Sequence, residues 1–412
     1  MARPATHREF FAVKTVGEVL AGFRPARRTV AETVALELAA GRVPSEPVRA
    51  PHDLPGFARA TVDGFAVRAG DTFGASEGLP GYLDVIGEVA MGRAPEIGLR
   101  PGGAVAIPTG AVMPEGADAV VMVEHTQSTM PGAIEVVRPV APGDGTVRAD
   151  EDARARDELL PAGRQLRAQD VGVLAAAGAT EVRVHARPRV GILSTGDEVV
   201  PFSTQQLALG HVRDATAVAL ATLVCEAGGE PDLRGIVPDD RVALTAALGE
   251  AVATCDVVVV SAGSSVGTRD ETAAVVAELG APGIWTHGIA IRPGKPTLLA
   301  DSGGVPVIGL PGNPRSALVV FRLVGMPVVR LVGGVTQHVA EPTVRARLDR
   351  DVPSVAGRLD VVQVALRDGV AVPLFGSSAL LTILTRADGY VLVHEDATGL
   401  PGGAEVDVTV YR

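Results

Sequence analysis

The 412-residue chain has little of several residue types, and each shortage excludes a class of protein. Aromatic residues make up only 3% and the formal net charge is −11, whereas a nucleic-acid groove needs basic and stacking side chains. No stretch approaches the roughly 18 consecutive apolar residues of a membrane span, and the N-terminal stretch lacks the apolar core of a signal peptide. The two cysteines, Cys225 and Cys255, lack metal-ligand spacing. We expect buried thiols and a cytoplasmic protein.

Lysine and asparagine are also scarce. Of 37 basic residues only Lys14 and Lys295 are lysines, and Asn313 is the single asparagine of the chain. A GC-rich genome would produce the same bias. A residue type that is kept against this bias is nevertheless a candidate for chemistry that its substitutes cannot perform.

The spacing of apolar residues changes twice in the first half of the chain. Residues 1–50 and 143–186 carry apolar residues at helical spacing, in "TVGEVLAGFR", "TVAETVALELAAGR" and "AQDVGVLAAAG". Residues 51–142 instead contain short apolar runs separated by Gly and Pro, which is typical of a small β domain. We therefore predict one discontinuous helical domain that is interrupted by a β domain.

The second half begins with alternating strand and helix patterns. Over residues 187–332 this alternation predicts a doubly wound α/β domain with a parallel sheet. Residues 333–412 return to short strands and predict a second small β domain. The predicted fold class is multidomain, α/β plus β. Ligands of doubly wound sheets bind outside the carboxyl ends of the strands, so the residues that follow each strand are the first candidates for a site.

A Gly/Ser loop follows the strand in "DVVVVSAGSSVGTRD". Ser261, Gly263, Ser264, Ser265 and Gly267 precede a helix that is predicted to begin near residue 270. Such a loop offers backbone N–H groups and the positive end of a helix to an anion. An ordinary loop between strand and helix has the same composition, and the sequence leaves both interpretations open.

The turn "GLPGNPRSAL" follows another predicted strand. Gly312 permits a tight turn, Asn313 fits an N-cap that accepts from the first-turn N–H groups, and Pro314 fits the first helical position. Ser316 would face the same space. Asp or Ser would cap equally well, so an amide that also donates, without adding negative charge, suits a site that holds an anion.

The turn "IRPGKPT" is not a nucleotide-binding P-loop, because Pro296 follows Lys295 where Ser or Thr is required. The turn carries the compact ammonium of Lys295 and is braced by proline. Arg292 lies three residues before this lysine. Lysine delivers a point charge where arginine delivers a planar fork. A surface lysine that survived by chance is the alternative.

Acidic residues follow several predicted strands, among them Glu198, Asp239 and Asp270. Most such residues cap helices, but carboxylates beside phosphate-binding loops can also hold Mg²⁺. In the first β domain, "RATVDGFAV" and "AIPTGAVMP" place Asp63 and Thr109 in turns next to apolar strands. From these residues alone we predict an α/β protein that binds an anion with Mg²⁺.

Six motifs, taken in order, resemble one known family: "TVDGFAV", "IPTGAVMPEGADAVVMVE", "ILSTGDEV", "VVVSAGSSVG", "IRPGKP" and "GLPGNPRSA". They are similar to those of the MoeA-type molybdopterin molybdenumtransferases and of the C-terminal part of gephyrin. The resemblance implies an α/β pterin-binding domain, a discontinuous helical domain and two β domains in a cytoplasmic homodimer. It also implies insertion of molybdate into adenylylated molybdopterin with Mg²⁺, releasing AMP and the molybdenum cofactor.

The resemblance also assigns residues. It implies that the cleft is lined by Asp63, Thr109, Glu198, Asp239 and Asp270, of which Glu198 and Asp270 would hold the metal. It implies that molybdate is held by Lys295, Pro296, Ser316, Arg358 and Ser378. We expect a cleft shared between two subunits, and transient contacts with molybdopterin adenylyltransferase and with recipient molybdoenzymes.

Two other functions remain open at this point. An adenylyltransferase on the same α/β core would make the adenylylated pterin instead of consuming it, although that family usually consists of the α/β domain alone. A non-catalytic scaffold, as in gephyrin, would not need Lys295 and the acidic residues.

Overall fold

The computed structural model describes residues 13–261, 266–337 and 340–411, with the backbone alone for residues 129 and 266–270. Within these ranges, no helix is long and apolar enough to span a bilayer. The first part of the chain forms short strands and helices, in order α1 (Val16–Gly22), β1 (Ala31–Ala35), β2 (Val48–Arg49), β3 (Arg59–Ala60), β4 (Gly64–Val67), β5 (Gly81–Glu88), β6 (Gly103–Ile107), β7 (Ala119–Met122), β8 (Thr126–Met130), β9 (Ala133–Val136), β10 (Thr146–Val147), β11 (Glu158–Leu160), α2 (Ala168–Ala176) and β12 (Glu181–His185).

The helix predicted in "TVAETVALELAAGR" is wrong. Strand β1 pairs antiparallel with β12, from Ala31 opposite His185 to Ala35 opposite Glu181, and a single 3₁₀ turn follows at Leu36–Leu38. The β-branched residues Thr33 and Val34 suit this extended pairing, which overrides the helical spacing. Helix α2 lies where it was predicted. Strand β2 likewise pairs with β11, so the chain before the first β domain bonds with the chain after it.

The first β domain contains a six-stranded sheet in the order β7-β4-β6-β5-β9-β8. Its two faces pack separate apolar clusters, one around Val67 and Leu83 and the other around Ala66 and Val105. Residues on alternating sides of β4 and β6 therefore enter different cores, as the two-residue period of a strand requires. The small β domain predicted for this part of the chain is confirmed; its limits stay a prediction.

The α/β domain follows in the order β13 (Arg189–Thr195), β14 (Val199–Val200), β15 (Val212–Arg213), α3 (Ala215–Glu226), β16 (Glu230–Val237), α4 (Arg241–Thr254), β17 (Val257–Ser261), α5 (Val266–Glu278), β18 (Pro282–His287), β19 (Ile291–Arg292), β20 (Leu298–Ser302), β21 (Val305–Leu310), α6 (Pro314–Val320) and α7 (Met326–Val332). The predicted strand and helix alternation is confirmed. Helix α5 begins at Val266 rather than near residue 270. A π-helical turn at Phe321–Gly325 joins α6 to α7, and the backbone stays helical through it.

The six strands of this sheet are ordered β16-β13-β17-β21-β20-β18. The first four are parallel, and β20 and β18 add antiparallel pairings at one edge, so the prediction of a parallel sheet holds only for the first four. The strand β17 is buried over its whole length, from Val257 to Ser261, because helices cover both faces of the sheet. Cys255 is buried beside this sheet, but Cys225 is exposed on α3, which corrects the expectation of two buried thiols.

The C-terminal domain contains β22 (Thr343–Leu348), β23 (Val352–Pro353), β24 (Leu359–Arg367), β25 (Val370–Pro373), α8 (Thr382–Thr385), β26 (Gly389–Val393), β27 (Gly399–Leu400) and β28 (Glu405–Val410). Within the sheet, neighbouring strands pair in the order β24-β25-β22-β28-β26, and β26 also pairs with β24. The predicted second β domain is therefore a closed five-stranded barrel, with its core around Val364 and Val408. Strand β19 of the α/β domain adds to β24 in parallel.

A buried carboxylate fixes the start of α2. Asp170, only 5% exposed at its side chain, accepts from Arg167 at 3.0 Å and from Arg164 at 2.8 Å, and also from the Arg167 backbone N–H at 2.8 Å. The hydrogen bonds from Arg167 are the largest cause that holds the pKa of Asp170 well below its usual range. A depressed folded-state pKa stabilises the fold above the unfolded value of about 4, and this contribution is lost as the pH falls.

We expect Asp170→Asn to lower the free energy of unfolding by about 3 kcal/mol at pH 7, because two guanidinium groups lose their buried partner. The difference from wild type should begin to shrink as the pH falls below about 4, because the unfolded chain then binds a proton at Asp170 that the folded protein does not. Urea unfolding at pH 7 and at pH 3 measures both quantities. Glu278→Gln is the matched control, because its ion pair with Arg241 is exposed and should change stability by less than about 1 kcal/mol. Equal losses in the two variants would contradict this assignment.

Candidate functional site

The parallel strands of the α/β sheet bring several predicted site residues to one edge. The carboxyl ends of β16, β13, β17 and β21 lie side by side, and neighbouring strands are about 4.8 Å apart. Asp239 follows β16, Glu198 follows β13, Ser261 ends β17, and Asn313 follows β21. The carboxylates therefore lie towards one side of this edge, and the turn that carries Asn313 lies towards the other.

The acidic side of the edge is electrostatically strained. The Asp239 backbone N–H donates to the Asp197 carboxylate at 3.2 Å. Burial is the main cause that raises the pKa of Asp239, and the nearby charges of Asp197, Glu198 and Glu271 raise it further. A cation among these groups would relieve this repulsion. In the part of the chain described here, however, no three of them converge as a preformed metal site.

The Gly/Ser loop is only partly described. Gly263, Ser264 and Ser265 lie outside the described residues, and Gly267 and Asp270 are described by their backbone alone, within α5. The Ser261 hydroxyl is buried and donates to the Ser194 hydroxyl at 3.2 Å. Ser261 thus bonds with the neighbouring strand β13.

Beyond β21, a cleft of about 730 Å³ opens between the α/β domain and the barrel. Residues from five separate stretches of the sequence line it. Seven of them were predicted from the sequence: Arg292, Lys295, Pro296, Asn313, Ser316, Arg358 and Ser378. Gly312, also predicted, is next to this set in the chain but is not among the residues that line the cleft. The cleft unites an ammonium, guanidinium groups and hydroxyl groups from two domains.

Backbone bonds and a glycine hold the turn that carries Lys295. The Lys295 carbonyl accepts from the backbone N–H groups of Ile289 and Thr297, both at 2.9 Å. Gly294 has φ +125°, and a Cβ at this position would lie 2.2 Å from Cγ2 of Val320 in α6. The turn therefore packs directly against α6 and places the exposed Lys295 at the cleft.

Asn313 occupies the predicted N-cap position of α6, and Pro314 the first helical position, but the predicted capping bond is wrong. The Asn313 side chain makes no cap; its Nδ2 donates to Oγ of Ser378 in the barrel at 3.0 Å. Neither Asp nor Ser has a side-chain amide N–H that could donate to Ser378 from this position. The single asparagine of the chain thus joins the turn after β21 to a barrel loop that also lines the cleft.

Asp360, which the sequence analysis missed, contacts two of the arginines that line the cleft. Its carboxylate, 5% exposed, accepts from Nε of Arg358 at 2.8 Å and lies 3.6 Å from Nη1 of Arg292. One buried carboxylate thereby orients two guanidinium groups of the cleft. The spacing in "GRLD" was an available signal, because residues two apart in a strand share a face.

Asp63 and Thr109 lie in the first β domain, just before β4 and just after β6. The Thr109 backbone N–H donates to the Asp63 carboxylate at 2.7 Å, and this bond is the main cause that lowers the pKa of Asp63. The pair is exposed. The structure brings these two residues together, in a domain other than the two that line the cleft.

Three family models match this chain in sequence order: the MoeA N-terminal region (domain I and II) over residues 12–178, a probable molybdopterin binding domain over 191–331, and the MoeA C-terminal region (domain IV) over 345–411. A molybdopterin molybdenumtransferase of Nostoc sp. is 40% identical over 309 residues, which cover 74% of this chain and 70% of that protein. That of Bacillus subtilis is 33% identical over 92% of this chain and 90% of its own length. A molybdopterin biosynthesis MoeA protein of Pyrococcus horikoshii OT3 matches in structure with a TM-score of 0.83 at 32% identity, covering 97% of this chain and all of that one.

We expect Gly294→Ala to weaken oxyanion binding at the cleft, because the added Cβ forces the Lys295 turn away from Val320. Strain at the positive φ adds to the effect, and stability should fall by about 1–3 kcal/mol. Titration with molybdate and thermal unfolding measure the two effects. Gly357→Ala is the matched control: it also has a positive φ at the cleft, but an added Cβ would meet nothing within 4 Å. If both variants bind molybdate equally well, contact with α6 does not position the lysine.

Proposed function

This chain belongs to the molybdopterin molybdenumtransferase family of molybdenum cofactor biosynthesis, and we propose that it uses molybdate and adenylylated molybdopterin, releasing AMP. The observation that carries the proposal is the cleft between the α/β domain and the barrel, where Lys295, Arg358, Ser316 and Ser378 converge. A tetrahedral dianion requires compact positive charge and several hydrogen-bond donors, and this combination provides both.

Each residue of the cleft has a distinct task in this proposal. Lys295 supplies a point charge that approaches one oxygen of molybdate, while Arg358 supplies a fork whose orientation is fixed by Asp360. Ser378 receives a hydrogen bond from Asn313, which leaves its hydroxyl proton free to point towards the anion. The site therefore holds the anion through donors that the protein has already oriented.

The carboxylates at the strand ends suit Mg²⁺, which prefers oxygen ligands and commonly takes one or two carboxylates together with phosphate oxygens. Burial is the main cause that raises the pKa of Asp239, and the repulsion from Asp197 and Glu198, which raises it further, is what a cation there would relieve. We propose Glu198 and Asp270 as its ligands, with Asp239 nearby. When bound, Mg²⁺ would neutralise charge on the phosphates of the adenylylated pterin.

Asp63 and Thr109 fit this proposal if two chains form a homodimer. Within one chain, the domain that contains them is separate from the cleft. The exposed carboxylate of Asp63 is nevertheless held in its ionised form by the hydrogen bond from Thr109. We propose that they complete the cleft of the partner subunit. Transient contacts with molybdopterin adenylyltransferase and with recipient molybdoenzymes, in the cytoplasm, belong to the same proposal.

Lys295→Arg should fail to replace Lys295, although arginine is the usual cation of this chain. The guanidinium is longer and planar, so it cannot take the position of the ammonium on a turn held by Gly294. A charge-assisted contact is worth roughly 1.5–3 kcal/mol, so about ten to a hundred times more molybdate should be needed for AMP release. Lys295→Ala should behave similarly, with little change in thermal midpoint for either variant. A wild-type molybdate requirement in Lys295→Arg would remove Lys295 from the proposed site.

Mixing two variants that are both impaired at the molybdate concentration that wild type needs tests the shared cleft. Asp63→Asn alters the first β domain and Lys295→Ala alters the other side of the proposed cleft, so each homodimer should release little AMP. In a mixed dimer, one of the two clefts combines intact Asp63 of one subunit with intact Lys295 of the other. Random mixing should restore about a quarter of wild-type activity. If co-expression restores none although the mixed dimer forms, each cleft is built from a single subunit.

A further inference from the structure

The loop that carries Ser378 belongs to the barrel but lies against a helix of another domain. Residues 374–381, which we call the Ser378 loop, follow β25 and contain no helix or strand before α8. Gly376, Ser377 and Ser378 line the cleft. Where the Ser378 hydroxyl lies therefore depends on what fixes this irregular segment of the barrel to the α/β domain.

Three hydrogen bonds join the Ser378 loop to the start of α6, and Asn313 and Arg315 donate all of them. Nδ2 of Asn313 donates to Oγ of Ser378 at 3.0 Å. The backbone N–H of Arg315 donates to the Ser378 carbonyl at 3.3 Å, and Nη2 of Arg315 donates to the Gly376 carbonyl at 2.8 Å. Within the part of the chain that the structure describes, these are the hydrogen bonds that reach residues 375–379 from outside the loop. Arg315 makes two of the three.

The loop also completes the N-terminus of α6. The first turn of a helix leaves backbone N–H groups without partners inside the helix, and a side chain at the N-cap commonly satisfies one of them. Asn313 makes no such bond. The Ser378 carbonyl accepts from the Arg315 N–H instead, so a segment of the barrel takes the place of the cap. Helix α6 and the Ser378 loop thus support each other across the domain boundary.

The side chain of Arg315 occupies an unfavourable place for a positive charge. Burial is the main cause that lowers the pKa of Arg315, and the neighbouring charge of Arg292 lowers it further. Nε of Arg315 is buried and has no hydrogen-bond partner among the described residues. An apolar side chain would avoid both penalties, but it could not donate to the Gly376 carbonyl. Holding the Ser378 loop therefore accounts for a guanidinium at this position.

We infer that Arg315 is a positioning residue: it fixes the Ser378 loop to α6 and thereby holds the Ser378 hydroxyl where it can donate to molybdate. This inference rests on the proposed function, because the place of Ser378 matters to the reaction only if the cleft binds the anion. In this role Arg315 acts through Ser378 and not through its own charge.

A double-mutant cycle tests the inference without using turnover, with equilibrium dialysis of molybdate against the full-length protein as the measurement. Arg315→Met removes the guanidinium, and Arg315→Lys keeps the charge on a shorter side chain without the planar fork. Each should weaken molybdate binding about tenfold, as should Ser378→Ala, because each removes one well-placed donor from the anion. In the Ser378→Ala background neither Arg315 variant should weaken binding further, since the residue through which Arg315 acts is already lost. Arg386→Met, which removes an exposed arginine of the barrel, is the control and should leave binding unchanged.

Hydrogen exchange of residues 374–381 in the absence of molybdate measures the loop itself. Exchange there should be faster in both Arg315 variants than in wild type and in Arg386→Met, while the buried strand β17 exchanges as in wild type. Unchanged exchange of the loop in both variants would overturn the inference.

The molybdate measurements separate this inference from the proposed function. If Ser378→Ala weakens binding but both Arg315 variants bind as wild type does, only the inference is overturned. It is also overturned if Arg315→Lys alone restores wild-type affinity, or if Arg315→Met weakens binding equally with and without Ser378, because its charge would then be the cause. Wild-type affinity in Ser378→Ala would instead remove Ser378 from the proposed site, and the inference would fall with it.

Discussion

The cleft depends on one short pairing between two domains. Ile291 and Arg292 of the α/β domain lie in parallel register with Leu359 and Asp360 of the barrel, and the Leu359 N–H donates to the Ala290 carbonyl at 2.8 Å. This junction adds a piece of the α/β domain to the barrel strand β24. The Lys295 turn and Arg358 are consequently presented to the same space, although they come from different domains. Without the junction, neither domain alone would present the full set of cations and hydroxyl groups.

The two lysines of the chain lie along this junction. The Lys14 carbonyl accepts from the Ala290 N–H at 2.8 Å, and its ammonium lies 4.8 Å from the centre of the Trp285 ring. Lys295 lies on the turn that follows β19. Of the two lysines in this sequence, Lys14 thus has a structural role and Lys295 lies in the cleft. Scarcity alone did not distinguish these two roles, because a cation over an aromatic ring and a cation facing an anion look alike in sequence.

Patterns that rest on local chemistry were predicted well, and those that rest on distant partners were not. The run of valines in "DVVVVS" predicted a buried strand, because few other environments accept it, and β17 is buried. By contrast, "TVAETVA" was predicted as a helix, since nothing nearby reveals that β12 will pair with it. Asn313 was placed correctly at the start of α6, but its partner Ser378 lies in another domain and could not be found from spacing. Asp360 was overlooked because the spacing in "GRLD" indicates only a face shared with Arg358, whereas its second partner, Arg292, lies in another domain.

Anomalous diffraction at the molybdenum edge, from crystals soaked in molybdate, tests most directly whether the junction builds an oxyanion site. We predict a molybdenum peak in the cleft, with molybdate oxygens about 3 Å from Nζ of Lys295 and Oγ of Ser378. A peak found only at the acidic strand ends near Asp239, or none between the α/β domain and the barrel, would contradict the account.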